Sequence, residues 1–166
     1  MSRAKEVAKS LLQTGAVKLN VKEPFTFVSG IKSPIYCDNR KMIGYPVERK
    51  VVVDEFVKKL SEKDFDVVAG TATAGIPWAA FIAWEMNKPM SYIRGEKKAH
   101  GAGRQIEGAD FTGKKVIVIE DLISTGGSSI KAVEAARNEG AASVEVVSIF
   151  SYEFDKAFKN FTDNCF

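Results

Sequence analysis

Fourteen consecutive residues, Val116 to Ser129 (VIVIEDLISTGGSS), carry the densest chemistry in the chain. The four β-branched residues at the start read as a buried strand, and Glu120 with Asp121 are expected to mark where that strand leaves the sheet. Ser124, Thr125, Gly126, Gly127 and Ser128 then supply hydroxyls and backbone N–H groups with little side-chain bulk. They stand directly ahead of a predicted helix, whose N-terminal dipole favours an anion. Two acids at a strand end are, on their own, ordinary solvated surface. Beside an anion cradle they repel phosphate but suit hydroxyl donors, which points to a ligand with a phosphate at one end and a diol next to it, such as a ribose 5-phosphate.

A second small-residue turn, GTATAG, runs from Gly70 to Gly75 between a predicted strand and helix. In isolation it is a tight turn that lets a helix pack closely. Beside the first cradle, the N–H groups of Thr71, Ala72, Thr73, Ala74 and Gly75 become a receptor for a second anion. The third element is the stretch containing Arg94, Lys97, Lys98, His100 and Arg104, in which GEKKAHGAGRQIEG, Gly95 to Gly108, has four glycines and no apolar periodicity. Its plain reading is a solvated excursion, yet a glycine-jointed, cation-bearing loop suits closure over a polyanion and exclusion of water. Fully extended, fourteen residues reach about 45 Å. The fourth element is FTFVSGIKSPIYCDNR, Phe25 to Arg40, an edge hairpin whose aromatics suit stacking on a planar base.

The elements that must hold these loops can be read from periodicity. Ala4, Val7, Ala8 and Leu11 mark a first amphipathic helix ended by Gly15. Residues 16–43 read as short extended pieces separated by Pro and Gly turns, a small irregular hood. Val53, Phe56, Val57 and Leu60 mark a second helix. A regular alternation follows: strand Asp66–Gly70, helix Ile76–Met86, strands Met90–Arg94 and Lys115–Glu120, helix Ser128–Asn138 stopped by Gly140, and strand Ser143–Phe150. Alternating strands and helices with runs such as VIVI predict a mainly parallel α/β sheet covered on both faces, with ligands at the carboxyl ends of its strands. The expected organisation is one domain: residues 1–45 as first helix and hood, 46–150 as α/β core, 151–166 as a short tail that reads as a helix followed by an unfinished segment.

Composition sets the outer limits. A chain of 166 residues, 45% apolar and 27% charged, has room for one core without staples. With 24 Lys and Arg against 21 Asp and Glu, the net charge of +3 does not indicate a nucleic-acid partner. Cys37, Cys165 and a single His cannot build a structural zinc site, and the expected setting is reducing and cytoplasmic. The uncharged run Val67 to Trp84 imitates a membrane span, but Gly70, Thr71, Thr73, Gly75 and Pro77 in its interior fit a strand, turn and helix instead. GADFTGKK lacks the Ser or Thr of a Walker A loop, and GAGRQIEG misses the dinucleotide spacing. Asn160, Phe161 and Thr162 form a glycosylation pattern read as chance.

The Val116–Ser129 run closely resembles the phosphoribosyl diphosphate (PRPP) signature of the type I phosphoribosyltransferases. That resemblance implies the type I phosphoribosyltransferase fold, with Glu120 and Asp121 on the ribose hydroxyls and residues Leu122, Ile123, Ser124, Thr125, Gly126, Gly127 and Ser128 around the 5-phosphate. It implies pyrophosphate at the Thr71–Gly75 loop, where relatives often carry Lys near Ala74. YIRGEKKAHGAGRQIEG is similar to the catalytic loop of the orotate phosphoribosyltransferases, which puts Arg94, Lys98 and His100 on PRPP and makes Lys98, with Lys97, His100 and Asp121, the catalytic group. Many relatives have Lys at Gly95 and an acid at Ala102. Ser29, Gly30, Lys32, Ser33 and Tyr36 fit the family's amino-terminal segment, and Val28 replaces a Lys; Phe27, Lys32, Tyr36 and Ser124 are the implied base contacts.

The activity so implied is transfer of phosphoribose from PRPP to orotate, giving orotidine 5-monophosphate and pyrophosphate in pyrimidine biosynthesis. Mg2+ is expected on the pyrophosphate rather than in a protein cage. The family also implies a homodimer with the catalytic loop entering the partner's site. A transferase for another nucleobase and a non-catalytic PRPP-binding regulator remain as alternatives. Relatives usually continue past the tail, so a truncated or short form is expected.

Overall fold

The computed structural model describes residues 3–27, 30–96 and 105–164. They form two compact units, 1–55 and 56–166, divided inside a helix. In the first unit, α1 (Arg3–Gln13) ends in a turn at Gly15, whose φ of +66° suits glycine. The buried Thr14 hydroxyl closes that turn on the Ser10 carbonyl at 2.9 Å and also contacts the Met42 sulfur at 3.0 Å. The predicted irregular hood is two antiparallel pairs: β1 (Val17–Leu19) with β4 (Ile35–Cys37), and β2 (Phe25–Thr26) with β3 (Lys32–Ser33). Strands of two or three residues have no room to display a period, which is why they read as irregular. A 3-10 helix, Asn39–Gly44, leads to α2 (Pro46–Leu60), which crosses into the second unit.

The second unit is built on β5 (Val67–Thr71), α3 (Gly75–Glu85), β6 (Met90–Ile93), β7 (Ile106–Gly108), β8 (Lys115–Ile123), α4 (Gly127–Asn138), β9 (Ser143–Ser151) and α5 (Asp155–Asp163). Its sheet has the order β7-β6-β5-β8-β9, parallel except for β7 against β6. Alternate side chains separate the two faces. Val67, Ala69, Val116 and Val118 join Ala132, Ala135 and Ala136 of α4 in one core. Gly70 and Ile119 lie on the opposite face, where Gly70 meets the start of α3 and Gly75 approaches the Ile119 carbonyl. A Cβ at Gly70 would stand 2.7 Å from the Gly75 carbonyl, so glycine is required for α3 to sit this low on the sheet. No helix among the described residues is long and apolar enough to cross a membrane.

Two expectations need correction. The segment 94–111 is not one loop, because Ile106–Gly108 returns as β7 along β6, with Arg94 N–H donating to the Gln105 carbonyl at 2.9 Å. One buried residue in three, Ile106, gives too little pattern to be read. Strand β8 does not end at Glu120 but runs three residues further, Leu122 and Ile123 pairing with Phe150 and Ser151. The tail forms the helix expected of it, α5, after a turn at Glu153 with φ +53°.

Gly108 has φ +111°, and a Cβ there would lie 2.5 Å from the Met90 carbonyl. Gly108→Ala should therefore cost about 2 kcal/mol or more, read as a lowered urea midpoint, through combined backbone strain and clash.

Candidate functional site

Strands β5 and β8 are parallel neighbours, with Gly70 opposite Ile119, yet their following helices leave in different directions: α3 leads to β6 on one side, α4 to β9 on the other. This is the topological switch point, where the loops diverge and open a crevice at the carboxyl ends of the strands. Both loops found in the sequence, 70–75 and 120–128, start there.

Each loop delivers a helix N-terminus with no side-chain cap. Ala74 precedes α3 and Gly126 precedes α4, and neither position forms a capping hydrogen bond. The first N–H groups of an α-helix have no partner inside the helix, so an uncapped start presents donors and a positive dipole end to an anion. Gly126 has φ +79° and is buried, whereas Gly127 and Ser128 are exposed. Ala72 and Thr73 are also exposed, and the peptide between them is cis. The structure thus places two helix N-termini without side-chain caps after adjacent strands.

Between them sits Glu120, only 5% exposed. Its Oε1 accepts a hydrogen bond from the Thr71 hydroxyl at 2.8 Å, and its Oε2 accepts one from Ser128 at 2.9 Å. The Asp121 N–H adds a longer contact to Oε1 at 3.2 Å. Burial disfavours the charged form and pushes the Glu120 carboxyl up to about 7; the Thr71 and Ser128 hydroxyls pull the other way, and the Asp121 charge adds to the rise. Asp121, next along the strand, is half-buried.

The residues expected at the site therefore divide into groups. Glu120, Asp121, Leu122, Ile123, Ser124, Thr125, Gly126, Gly127 and Ser128 form one continuous edge, and Thr71 to Gly75 form the facing edge. The Ser128 hydroxyl, expected in the phosphate cradle, is instead directed to Glu120, because an acid this buried requires donors. Arg94 follows β6, the neighbour of β5, and is half-buried. Phe27, Lys32 and Tyr36 lie in the first unit, where the Phe25 and Tyr36 rings stand 5.5 Å apart, while Ser124 lies in the second. Lys97, Lys98, His100 and Arg104 lie outside the described residues, as do Val28, Ser29 and Cys165.

Sequence reasoning missed two contributors, Asn160 and Phe161 of α5. The Asn160 side-chain amide donates to the Thr125 carbonyl at 2.8 Å, and a Cβ on Gly126 would come within 2.7 Å of the Phe161 ring. The only signal was the Asn-Phe-Thr triplet, read as a chance glycosylation pattern.

Comparison with known proteins agrees with this geometry. The pattern of the phosphoribosyl transferase domain family matches residues 45–163. An orotate phosphoribosyltransferase of Streptococcus sanguinis (strain SK36) is 54% identical over 165 residues, 98% of this chain and 79% of that one. The crystal structure of orotate phosphoribosyltransferase from Aeropyrum pernix superposes with a TM-score of 0.79 at 31% identity, covering 95% of this chain and 87% of that one. UMP synthase of Leishmania donovani gives 0.81 at 34% identity over 99% of this chain, which spans 34% of that larger protein.

The raised Glu120 carboxyl fixes a pH dependence. Between the ordinary 4.5 and about 7 the folded chain holds this proton more firmly than the unfolded chain, so the stability it contributes is complete below 4.5 and is lost as pH climbs through 7. Glu120→Gln, which carries no charge to bury, should gain melting temperature relative to the parent as pH rises from 5 to 8. A difference independent of pH would show that the carboxyl is hydrated.

Proposed function

We propose roles for the residues of this chain, which belongs to the phosphoribosyl transferase domain family and, within it, to the orotate phosphoribosyltransferases. The chain transfers the phosphoribosyl group of PRPP to orotate, giving orotidine 5-monophosphate and pyrophosphate in pyrimidine biosynthesis. The single observation that supports the assignment of roles is the pair of uncapped helix N-termini on neighbouring parallel strands, with two acids between them.

In this reading the 5-phosphate rests on the N–H groups of Gly126, Gly127 and Ser128. The ribose hydroxyls donate to Asp121 and Glu120, and the diphosphate faces the 71–75 turn. During transfer the bond from the anomeric carbon to the diphosphate oxygen breaks, positive charge develops on the ribose and negative charge grows on the leaving group. Orotate nitrogen then bonds to the same carbon. Asp121 and Glu120 favour the cationic sugar, while Lys98, assisted by Arg94, Lys97 and His100, takes up the leaving group's charge. Phe27, Lys32, Tyr36 and Ser124 are assigned to the base.

A divalent cation fits this donor set. Mg2+ binds through one or two carboxylates, water and substrate phosphates, and a half-buried Asp121 beside two phosphate receptors is a suitable contributor. When bound, it neutralises diphosphate charge. We assign the chain to the cytoplasm, on the support of a cysteine content of two in 166 residues, too low for a disulfide-stapled secreted domain. We also assign it to a homodimer in which the 95–104 segment serves the partner's site.

Mixing PRPP, orotate and Mg2+ should consume orotate absorbance only when all three are present. Lys98→Ala should lower kcat about a hundredfold or more while weakening PRPP binding far less, as for removal of one preorganised charge stabiliser; unchanged turnover in a folded variant removes Lys98 from the chemistry. Heterodimers of a Lys98→Ala subunit with an Asp121→Asn subunit should recover activity that neither homodimer has, and verified heterodimers without recovery would place each site within one subunit.

A further inference from the structure

Helix α5 touches the phosphate loop at two consecutive residues. The Asn160 amide donates to the Thr125 carbonyl at 2.8 Å, and the Phe161 ring lies against Gly126, close enough that a Cβ there would meet ring carbons at 2.7 and 2.8 Å. The loop's other boundaries are already secured. On the strand side, Ile123 pairs with Ser151 and its carbonyl accepts the Tyr152 N–H at 3.0 Å. On the helix side, the Gly126 carbonyl accepts the Ile130 N–H at 3.0 Å. The Thr125–Gly126 peptide bridges these two anchors, and α5 contacts it through Asn160 and Phe161.

That contact has a directional consequence. The bond between Thr125 and Gly126 is trans, so its carbonyl and its N–H point in opposite directions. Holding the Thr125 carbonyl towards α5 aims the Gly126 N–H away from α5. The αL conformation of Gly126 then starts α4, and its exposed neighbours Gly127 and Ser128 carry the next donors. A ring against the glycine also blocks the loop from relaxing outward. Asn160 and Phe161 are each half-buried, as suits side chains spent on a contact within the fold.

We propose that α5 is a clamp on the 5-phosphate loop, with Asn160 and Phe161 as positioning residues that set the direction of the Gly126 donor without touching substrate. The proposal rests on the assignment of the 5-phosphate to residues 126–128. It extends the site into a helix that the active-site signature does not reach. The Asn-Phe-Thr triplet acquires a role unrelated to glycosylation, since its amide nitrogen is the clamp's donor.

The test compares Asn160→Ala, Asn160→Gln and Phe161→Ala with the parent chain. Asn160→Ala and Phe161→Ala should raise the PRPP KM and the ribose 5-phosphate Kd about five- to tenfold, the loss of one hydrogen bond or contact. They should change kcat and the orotate KM less than twofold and leave inhibition by inorganic pyrophosphate unchanged. Asn160→Gln, which keeps an amide donor, should recover most of the loss. Hydrogen exchange of the peptide spanning 121–130 should quicken in the ligand-free Ala variants. Unchanged exchange, or equal weakening of ribose 5-phosphate and pyrophosphate, overturns the clamp. Should the parent itself fail to bind ribose 5-phosphate, the assignment of the phosphate falls, while the exchange rates still decide whether α5 holds the loop. If Phe161→Ala does not fold, Phe161→Leu and the two Asn160 variants carry the same comparison.

Discussion

A carboxyl group withdrawn from water and wedged between two hydroxyls holds the site together. Glu120 accepts from Thr71 at the end of β5 and from Ser128 in the first turn of α4, so it ties the loops after β5 and β8 to each other. Burying a charged acid costs far more than burying a hydrogen-bonded neutral one, and the rise of its proton affinity to about 7 records that cost. The link is possible only because the loops approach closely. Gly75 lies against the Ile119 carbonyl and the Thr71 hydroxyl, and Gly70 lies against the Gly75 carbonyl, leaving no room for a Cβ at either position. Strand pairing sets the register, glycine permits the approach, and Glu120 fixes it.

Two helix starts lack side-chain caps, and an acid is buried beside a second acid. Capping residues at these starts would contribute about 1 kcal/mol each, and the sequence forgoes them. In the proposed reading, a ligand with phosphates at both ends and hydroxyls between them supplies anions to the two helix dipoles and donors to the acids. Binding and stability are then linked, since whatever satisfies these groups in the folded chain and not in the unfolded one favours the fold.

The β8–α4 unit was legible because its signals are local: a β-branched run, then glycines, then a helix period, all within about twenty residues. So were β5, α3 and the small-residue turn between them. What was not legible depends on partners distant in sequence. Glu120 and Asp121 read as a strand end because acids are disfavoured in strands, yet Thr71 lies 49 residues earlier and keeps Glu120 inside the sheet. Ile106 pairs back onto Ile93 of β6 and leaves only three residues of pattern. Asn160 acts on a carbonyl 35 residues away, a relation no spacing rule contains. In the hood, β1 to β4 are too short to show alternation, so only the turn residues between them could be read.

The division of labour between backbone and side chains follows from the charges that change during transfer. The 5-phosphate carries the same charge before and after reaction, so holding it well stabilises ground state and transition state alike. Rigid backbone N–H groups suit that task, and α5, β9 and α4 brace the segment that bears them. The diphosphate instead gains charge as its bond to the anomeric carbon breaks. Groups that meet it must gain in interaction at that moment, which suits cations carried on side chains over fixed amides. In this chain the fixed amides cluster at the β5–β8 switch point, whereas the cations assigned to the leaving group lie between Arg94 and Gln105, whose backbones are hydrogen-bonded to each other as the stem of a β6–β7 hairpin. The Arg94–Gln105 hydrogen bond pins the two ends of that segment together at the end of β6, the neighbour of β5.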